Sequence, residues 1–172
     1  MIVLGMDPGA IRCGWACLEK EGEDLSVKDS GTLGLERQPQ EKYQAYKLRL
    51  IQFWLKEGRL LLNHKPTRLV TEIVPAVGGG NFVVATQSQL AAVVVTVVQV
   101  LAYQQNIPVV QVSANTVKKR IGGKHNASKA MVRKGVQEIM PETKSKDKEW
   151  KKTSDESDAF AVALTDLGYK RG

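Results

Sequence analysis

Cysteine, histidine and long apolar runs are all scarce in this chain: 172 residues hold two cysteines and two histidines. Each scarcity excludes a class of function. Two cysteines cannot build a disulfide framework, so a reduced, cytoplasmic setting is expected. Cys13 and Cys17 fall in one apparent strand, four residues and about 13 Å apart. That is beyond the reach of a disulfide or of a shared metal. His64 and His125 make no zinc motif and offer little material for a histidine-centred triad. The apolar stretch 90–98 sits among Gln87, Gln89, Gln99 and Gln104 and reads as too short and too polar to span a bilayer. No membrane partner is therefore expected. The first residues read as a core strand, which argues against a signal peptide.

What the chain does have is a core and a concentrated charge. A 42% hydrophobic content suits one domain over residues 1–172. Lys and Arg number 25 against 18 Asp and Glu, a net charge of +7. The surplus is uneven: residues 115–152 hold twelve basic and four acidic side chains, a local +8, leaving −1 elsewhere. A basic segment on a balanced chain points to a polyanion, foremost nucleic acid. A solvated, solubilising face is the competing reading. Lys118, Lys119, Arg120, Lys124, Lys129 and Arg133 are the candidate DNA contacts.

The pattern along the chain is that of an α/β domain. Residues 2–6 form a short apolar run stopped by Asp7-Pro8-Gly9, a buried strand ending in a turn. Residues 14–18 and 26–33 read as two further strands joined by a hairpin. Helical spacing of Tyr43, Tyr46, Leu50, Phe53, Trp54 and Leu61 predicts a helix over about 41–63. A strand follows at 68–74. The Val-rich stretch 82–105 is read as a buried helix because of its length. A fifth strand at 108–112 precedes helices at 113–121 and 127–140, the latter started by Asn126 or Ser128. Residues 141–153 are read as a mobile basic loop. Thr153-Ser154-Asp155-Glu156 has capping-box form ahead of a helix at 160–167, and Glu156 is assigned to that cap. The expectation is a five-stranded mixed sheet flanked by helices, with a hairpin-linked antiparallel part and helical crossovers between parallel strands.

Four carboxylates stand out against this frame. Asp7 ends one apolar strand and Glu72 lies in another, where an unpaired carboxylate is costly to bury. On neighbouring strands the two lie roughly 5 Å apart, close enough for one divalent cation to bridge. Asp155 and Asp158 are three residues apart, about 60° around a helix and on one face. First-turn acids are also favoured by the helix dipole alone. The apolar run from Ala159 argues that Asp158 is drawn toward the interior. All-oxygen donors select magnesium, with manganese as a substitute. A pair of such ions suits in-line phosphodiester hydrolysis.

Gly5-Met6-Asp7-Pro8-Gly9 with Gly14, Glu72 late in a strand, and Asp155-Glu156-Ser157-Asp158-Ala159-Phe160-Ala161-Val162-Ala163 together resemble the RuvC Holliday-junction resolvases, a phage-type member among the candidates. The likeness covers nearly the whole chain. It implies a ribonuclease H-like fold and a homodimer that makes paired nicks across four-way DNA junctions, in a bacterial cell or a phage-infected one. It further implies that Asp7, Glu72, Asp155 and Asp158 hold two Mg2+ ions, or Mn2+. Lys118 and Lys129, eleven residues apart, match two basic residues near the scissile phosphate, and Lys129 joins the catalytic set. One departure is visible. The family often has an aromatic wedge three residues after the acid matching Glu72; here Pro75 holds that position, and Phe82, beyond Gly78-Gly79-Gly80, is the nearest candidate. Branched or flap DNA, or RNA, are the competing substrates, and a catalytically silent DNA-binding protein is the competing class.

Overall fold

The computed structural model describes residues 1–9, 11–74, 82–150 and 154–171, with the backbone alone for 82–84. Strands β1 (Ile2–Asp7), β2 (Arg12–Glu21) and β3 (Asp24–Gly34) come first, then α1 (Tyr43–Leu62), β4 (Arg68–Glu72), α2 (Phe82–Gln104) and β5 (Val109–Val112). Helices α3 (Ala114–Ile121), α4 (Lys129–Ile139), a 3-10 turn (Pro141–Lys146), α5 (Asp147–Trp150) and α6 (Asp155–Asp166) complete the order. The sheet runs β3-β2-β1-β4-β5. Its first three strands are antiparallel, while β1, β4 and β5 are parallel. This is the expected five-stranded mixed sheet. Buried Cys13 and Cys17 are both free thiols.

Strand alternation gives the sheet two chemically distinct faces. Leu4 and Met6 of β1, Trp15 and Cys17 of β2 and Leu69 of β4 pack with Tyr46, Leu50 and Trp54 of α1 and with Leu90, Val94, Val98 and Leu101 of α2. The opposite face presents Val3, Ala16, Leu18 and Val70 to α6, α3 and α4, centred on Phe160, Val162 and Leu164. The spacing of Tyr46, Leu50, Trp54 and Leu61 makes α1 a one-sided helix. Ser113 and Ser128 cap α3 and α4, accepting from the N–H groups of Thr116 and Met131.

Three expectations need correction. Counting only the run at 90–98 understated α2: the helix continues through its flanking glutamines, and Ala85–Gln104 is long and apolar enough to cross a membrane by length and composition. In the fold one side of it packs in the core, while Val100 and Tyr103 are exposed. The basic stretch expected as a mobile loop is folded over residues 141–150, because Thr143 and Trp150 are buried beneath it. Residues 151–153 of that expected loop lie outside the described residues. Glu156 does not form a capping box: Ser154 occupies the N-cap without a side-chain cap bond, and the Glu156 carboxylate turns inward to other partners.

Candidate active site

Parallel pairing of β1 with β4 sets Met6 beside Thr71. The next residues, Asp7 and Glu72, are therefore neighbours at the two carboxyl ends, about one inter-strand spacing (~5 Å) apart. Alternation also fixes which way they project. Asp7 shares the face of Val3 and Gly5, and Glu72 that of Val70, so both carboxylates face the side covered by α6.

Two glycines let α6 come down onto this corner. A Cβ on Gly5 would stand 2.7 Å from the Ala159 carbonyl oxygen and from the Ala163 Cβ. On Gly14, the β2 partner of Asp7, it would stand 1.8 Å from the Asp155 carbonyl oxygen. Any side chain at either position forces the helix off the sheet. The close approach seats the first turn of α6 beside Asp7 and delivers Asp155 and Asp158 to the strand-borne pair.

Asp7 and Glu72 form a wall shared by two cavities. The larger, about 690 Å³, is completed by Asp155 and runs past Arg12, Gln87 and Ser88. The smaller, about 190 Å³, is completed by Asp158, Lys118 and Lys129. The Lys129 ammonium donates to Asp158 Oδ2 at 2.9 Å and to Ser154 Oγ at 2.6 Å. Lys129 opens α4, where the helix dipole disfavours a cation; Asp158 supplies the compensating charge.

The electrostatics are those of a crowded anionic pocket. Burial, then repulsion from Asp158 and Glu72, pushes the Asp7 carboxyl up to about 7, with Lys129 in partial opposition and Asp155 adding a smaller push. Glu72 is raised by burial and by Asp158, against the pull of Lys118 and Lys129. Burial lowers Lys129, but its bond to Asp158 and the attraction of Asp158, Asp7 and Asp155 leave it raised overall.

The predicted acids and cleft lysines line two cavities that share Asp7 and Glu72: Asp155 lines the larger, and Asp158, Lys118 and Lys129 line the smaller. The other basic candidates line neither. Lys119 and Lys124 are exposed on and after α3, outside both cavities. Arg120 donates to the Thr165 carbonyl at 3.1 Å. Arg133, expected on DNA, is turned inward: its side chain is 17% exposed, pairs with Asp147 at 3.3 Å and donates to the Trp150 carbonyl. It ties α4 to α5 instead. Pro75, the three glycines and the Phe82 side chain lie outside the described residues.

One residue takes a supporting role in place of the cap expected of it. Glu156, between the two helical acids, accepts Lys146 Nζ at 2.6 Å and Trp150 Nε1 at 2.8 Å. Lys146 also donates to Ser30 Oγ of β3 at 2.8 Å. Glu156 is 8% exposed, so this latch holds the first turn of α6 from beneath. Trp150, an aromatic within a polar run, was the one local hint.

A family model for the crossover junction endodeoxyribonuclease RuvC matches residues 3–166, nearly the whole chain. The chain belongs to this family. Membership makes it an endodeoxyribonuclease with divalent-metal-dependent chemistry. The RuvC of Maricaulis maris is 26% identical over 170 residues, 98% of this chain and 92% of the relative. That of Pseudothermotoga lettingae is 28% identical over 163 residues, 95% and 91% of the two chains. Among solved structures, Thermus thermophilus RuvC in complex with Holliday junction substrate superimposes with a TM-score of 0.71 at 22% identity, covering 99% of this chain and 98% of the other. The yeast mitochondrial Holliday junction resolvase gives 0.66 at 15% identity, covering 95% and 76%. These two likenesses establish the RuvC-type, ribonuclease H-like fold.

The carboxylates fit a divalent ion by donor chemistry: hard oxygens on rigid element ends, with Asp7 raised by burial and then by neighbouring carboxylates whose repulsion a cation relieves. Among the described residues no three acids stand close enough to enclose one ion, and Lys129 spans Ser154 and Asp158.

Proposed function

We propose that this chain is a homodimeric, magnesium-dependent resolvase that cuts four-way DNA junctions by paired symmetric nicks. The observation that carries the reading is the meeting of Asp7 and Glu72 with the first turn of α6, beside Lys118 and Lys129. The match of residues 3–166 to junction endonucleases supports the substrate class. Asp7, Glu72, Asp155 and Asp158 would hold two magnesium ions, or manganese. The chemistry supplied by the ions when bound is activation of water and relief of charge on the leaving 3′ oxygen.

The chain's own residues do the rest. Asp7 and Glu72, fixed on adjacent strands, set the position of the cleft, and α6 brings the second pair of acids against it. Lys118 and Lys129 draw the scissile phosphate in. Lys129 leaves Asp158 to do so, exchanging one anionic partner for another. Two-fold symmetry of a dimer matches that of a junction and sets two such clefts on opposing strands. The exposed Val100 and Tyr103 of α2 offer apolar surface for that pairing. The buried free thiols Cys13 and Cys17 suit a cytoplasmic setting in a bacterial or phage-infected cell.

Side-by-side cleavage of a synthetic four-way junction, a Y-fork, a linear duplex and an RNA duplex in magnesium tests this. Symmetric paired nicks confined to the junction are expected, with a dimeric mass in sedimentation. Equal cleavage of the linear duplex, or junction cleavage that persists unchanged in Asp7→Asn, would overturn it.

A further inference from the structure

Helix α3 has two working flanks. Ala114, Val117 and Lys118 line the small catalytic cavity. Asn115, Thr116, Lys119 and Arg120 line a separate cavity of about 490 Å³ that is closed by the loop at 122–128 and by the C-terminal Lys170 and Arg171. The split follows from helical geometry: adjacent residues are rotated by about 100°, so Lys118 and Lys119 face different sides of a cylinder about 10 Å across.

Its lining is strongly basic and includes no acid and no Phe, Tyr or Trp ring. Two of its cations are built in. Arg171 donates to Glu138 through Nε and Nη2, and its backbone N–H donates to the Arg120 carbonyl at 2.7 Å. Arg120 in turn donates to Thr165 of α6. These bonds fix Arg171 against α3 and α4 and tie α3 to α6. Lys119 and Lys170 then stand exposed at the rim, with no ion pair among the described residues.

We propose that this cavity is a second DNA site that grips the phosphate backbone of a duplex arm beyond the catalytic cleft. The ligand class follows from the lining. Converging cations with no acid among them attract the phosphate backbone whatever the base sequence. Lys119 and Lys170 make the contacts; Arg120 and Arg171 hold the frame. The proposal rests on the chain's endodeoxyribonuclease membership and needs no particular branch structure, so it applies to duplex and junction alike.

The test is salt-dependent binding of a linear duplex and of a four-way junction by the full chain, comparing wild type with Lys119→Ala/Lys170→Ala. Each lost phosphate contact lowers the log–log salt slope by about 0.9. A fall of about 2 is therefore expected for both DNAs, with weaker binding. Lys42→Ala/Lys56→Ala, equal in charge but on the α1 side of the sheet, is expected to leave the slope alone. Lys119→Glu is the second variant, and an unaltered melting temperature certifies each fold. An unchanged slope in Lys119→Ala/Lys170→Ala, or an equal fall in the α1-side control, overturns the proposal while leaving the nuclease reading intact. Wild type that binds neither DNA overturns both.

Discussion

The two pairs of carboxylates in the cleft reach it by different routes and under different electrostatic conditions. Asp7 and Glu72 arrive on neighbouring strands, fixed side by side by sheet register, and both are raised by burial and by their neighbours' charge. Asp155 and Asp158 arrive on the first turn of α6, where the helix dipole favours anions; Asp158 also holds Lys129 at 2.9 Å. The strand pair stores repulsion and the helix pair has its compensation built in. Stability and catalysis therefore pull in opposite directions at Asp7 more than at Asp158.

Removing one charge from each pair is the largest way to break that comparison. Asp7→Asn should lower single-turnover junction cleavage roughly 10³-fold or more, about 4 kcal/mol of transition-state stabilisation. The same change should stabilise the metal-free protein by about 1–3 kcal/mol at pH 8. The sign follows from the shift. A carboxyl raised from 3.8 to about 7 favours folding when protonated, and that contribution is lost as pH rises through about 7. The gain of Asp7→Asn over wild type should accordingly open between about pH 4 and 7. Asp158→Asn should also abolish cleavage, yet change stability by only about 0–1 kcal/mol, since its lysine is largely exposed. Urea unfolding in chelator across this pH range separates the two; equal stabilisation by both would break the contrast.

The support beneath the helical pair gives the next effect. Glu156 is lowered overall because hydrogen bonds from Lys146, Ser30 and Trp150 outweigh the upward push of burial. Lys146→Met leaves that carboxylate without its cation and should cost about 1–3 kcal/mol at neutral pH. Because a lowered carboxyl stabilises above its ordinary range, the cost should shrink as pH falls through it. Glu156→Gln combined with Lys146→Met should recover part of the loss. A fall in metal affinity of Lys146→Met by calorimetry, beyond its loss of stability, would identify Lys146 and Glu156 as positioning residues for the helical acids.

The smallest effect lies on the far face of the sheet. Thr71, beside Glu72 but pointing the other way, is 1% exposed, and its hydroxyl has no partner among the described residues. Thr71→Val should stabilise by about 0.5–1.5 kcal/mol without altering cleavage. An equal loss of cleavage would show that the two faces are coupled through β4.

Much of this was legible in the sequence because it rests on local periodicity. Short apolar runs at residues 2–6 and 68–74 announced two strands, each carrying an acid, Asp7 and Glu72. The three-residue spacing of Asp155 and Asp158 put them on one turn. The family motifs then ordered the four acids. The 141–150 segment was illegible, because its polarity hides that Thr143 and Trp150 are buried and that Lys146 reaches across to Ser30 and Glu156. Arg133 and Lys119 look alike in sequence, yet one is spent on Asp147 and Trp150 while the other has no ion pair among the described residues.

By itself, then, the sequence determined the five-stranded mixed sheet with its main flanking helices, the four candidate acids and a +8 basic segment. Those depend on side-chain spacing of two or three residues and on net charge. Tertiary structure alone decided which cations remain available to DNA, that Glu156 is a support and not a cap, and that Lys118 and Lys119 serve different cavities. Such outcomes depend on partners ten to more than a hundred residues away, whose approach is set by glycines at the sheet–helix contact and by burial.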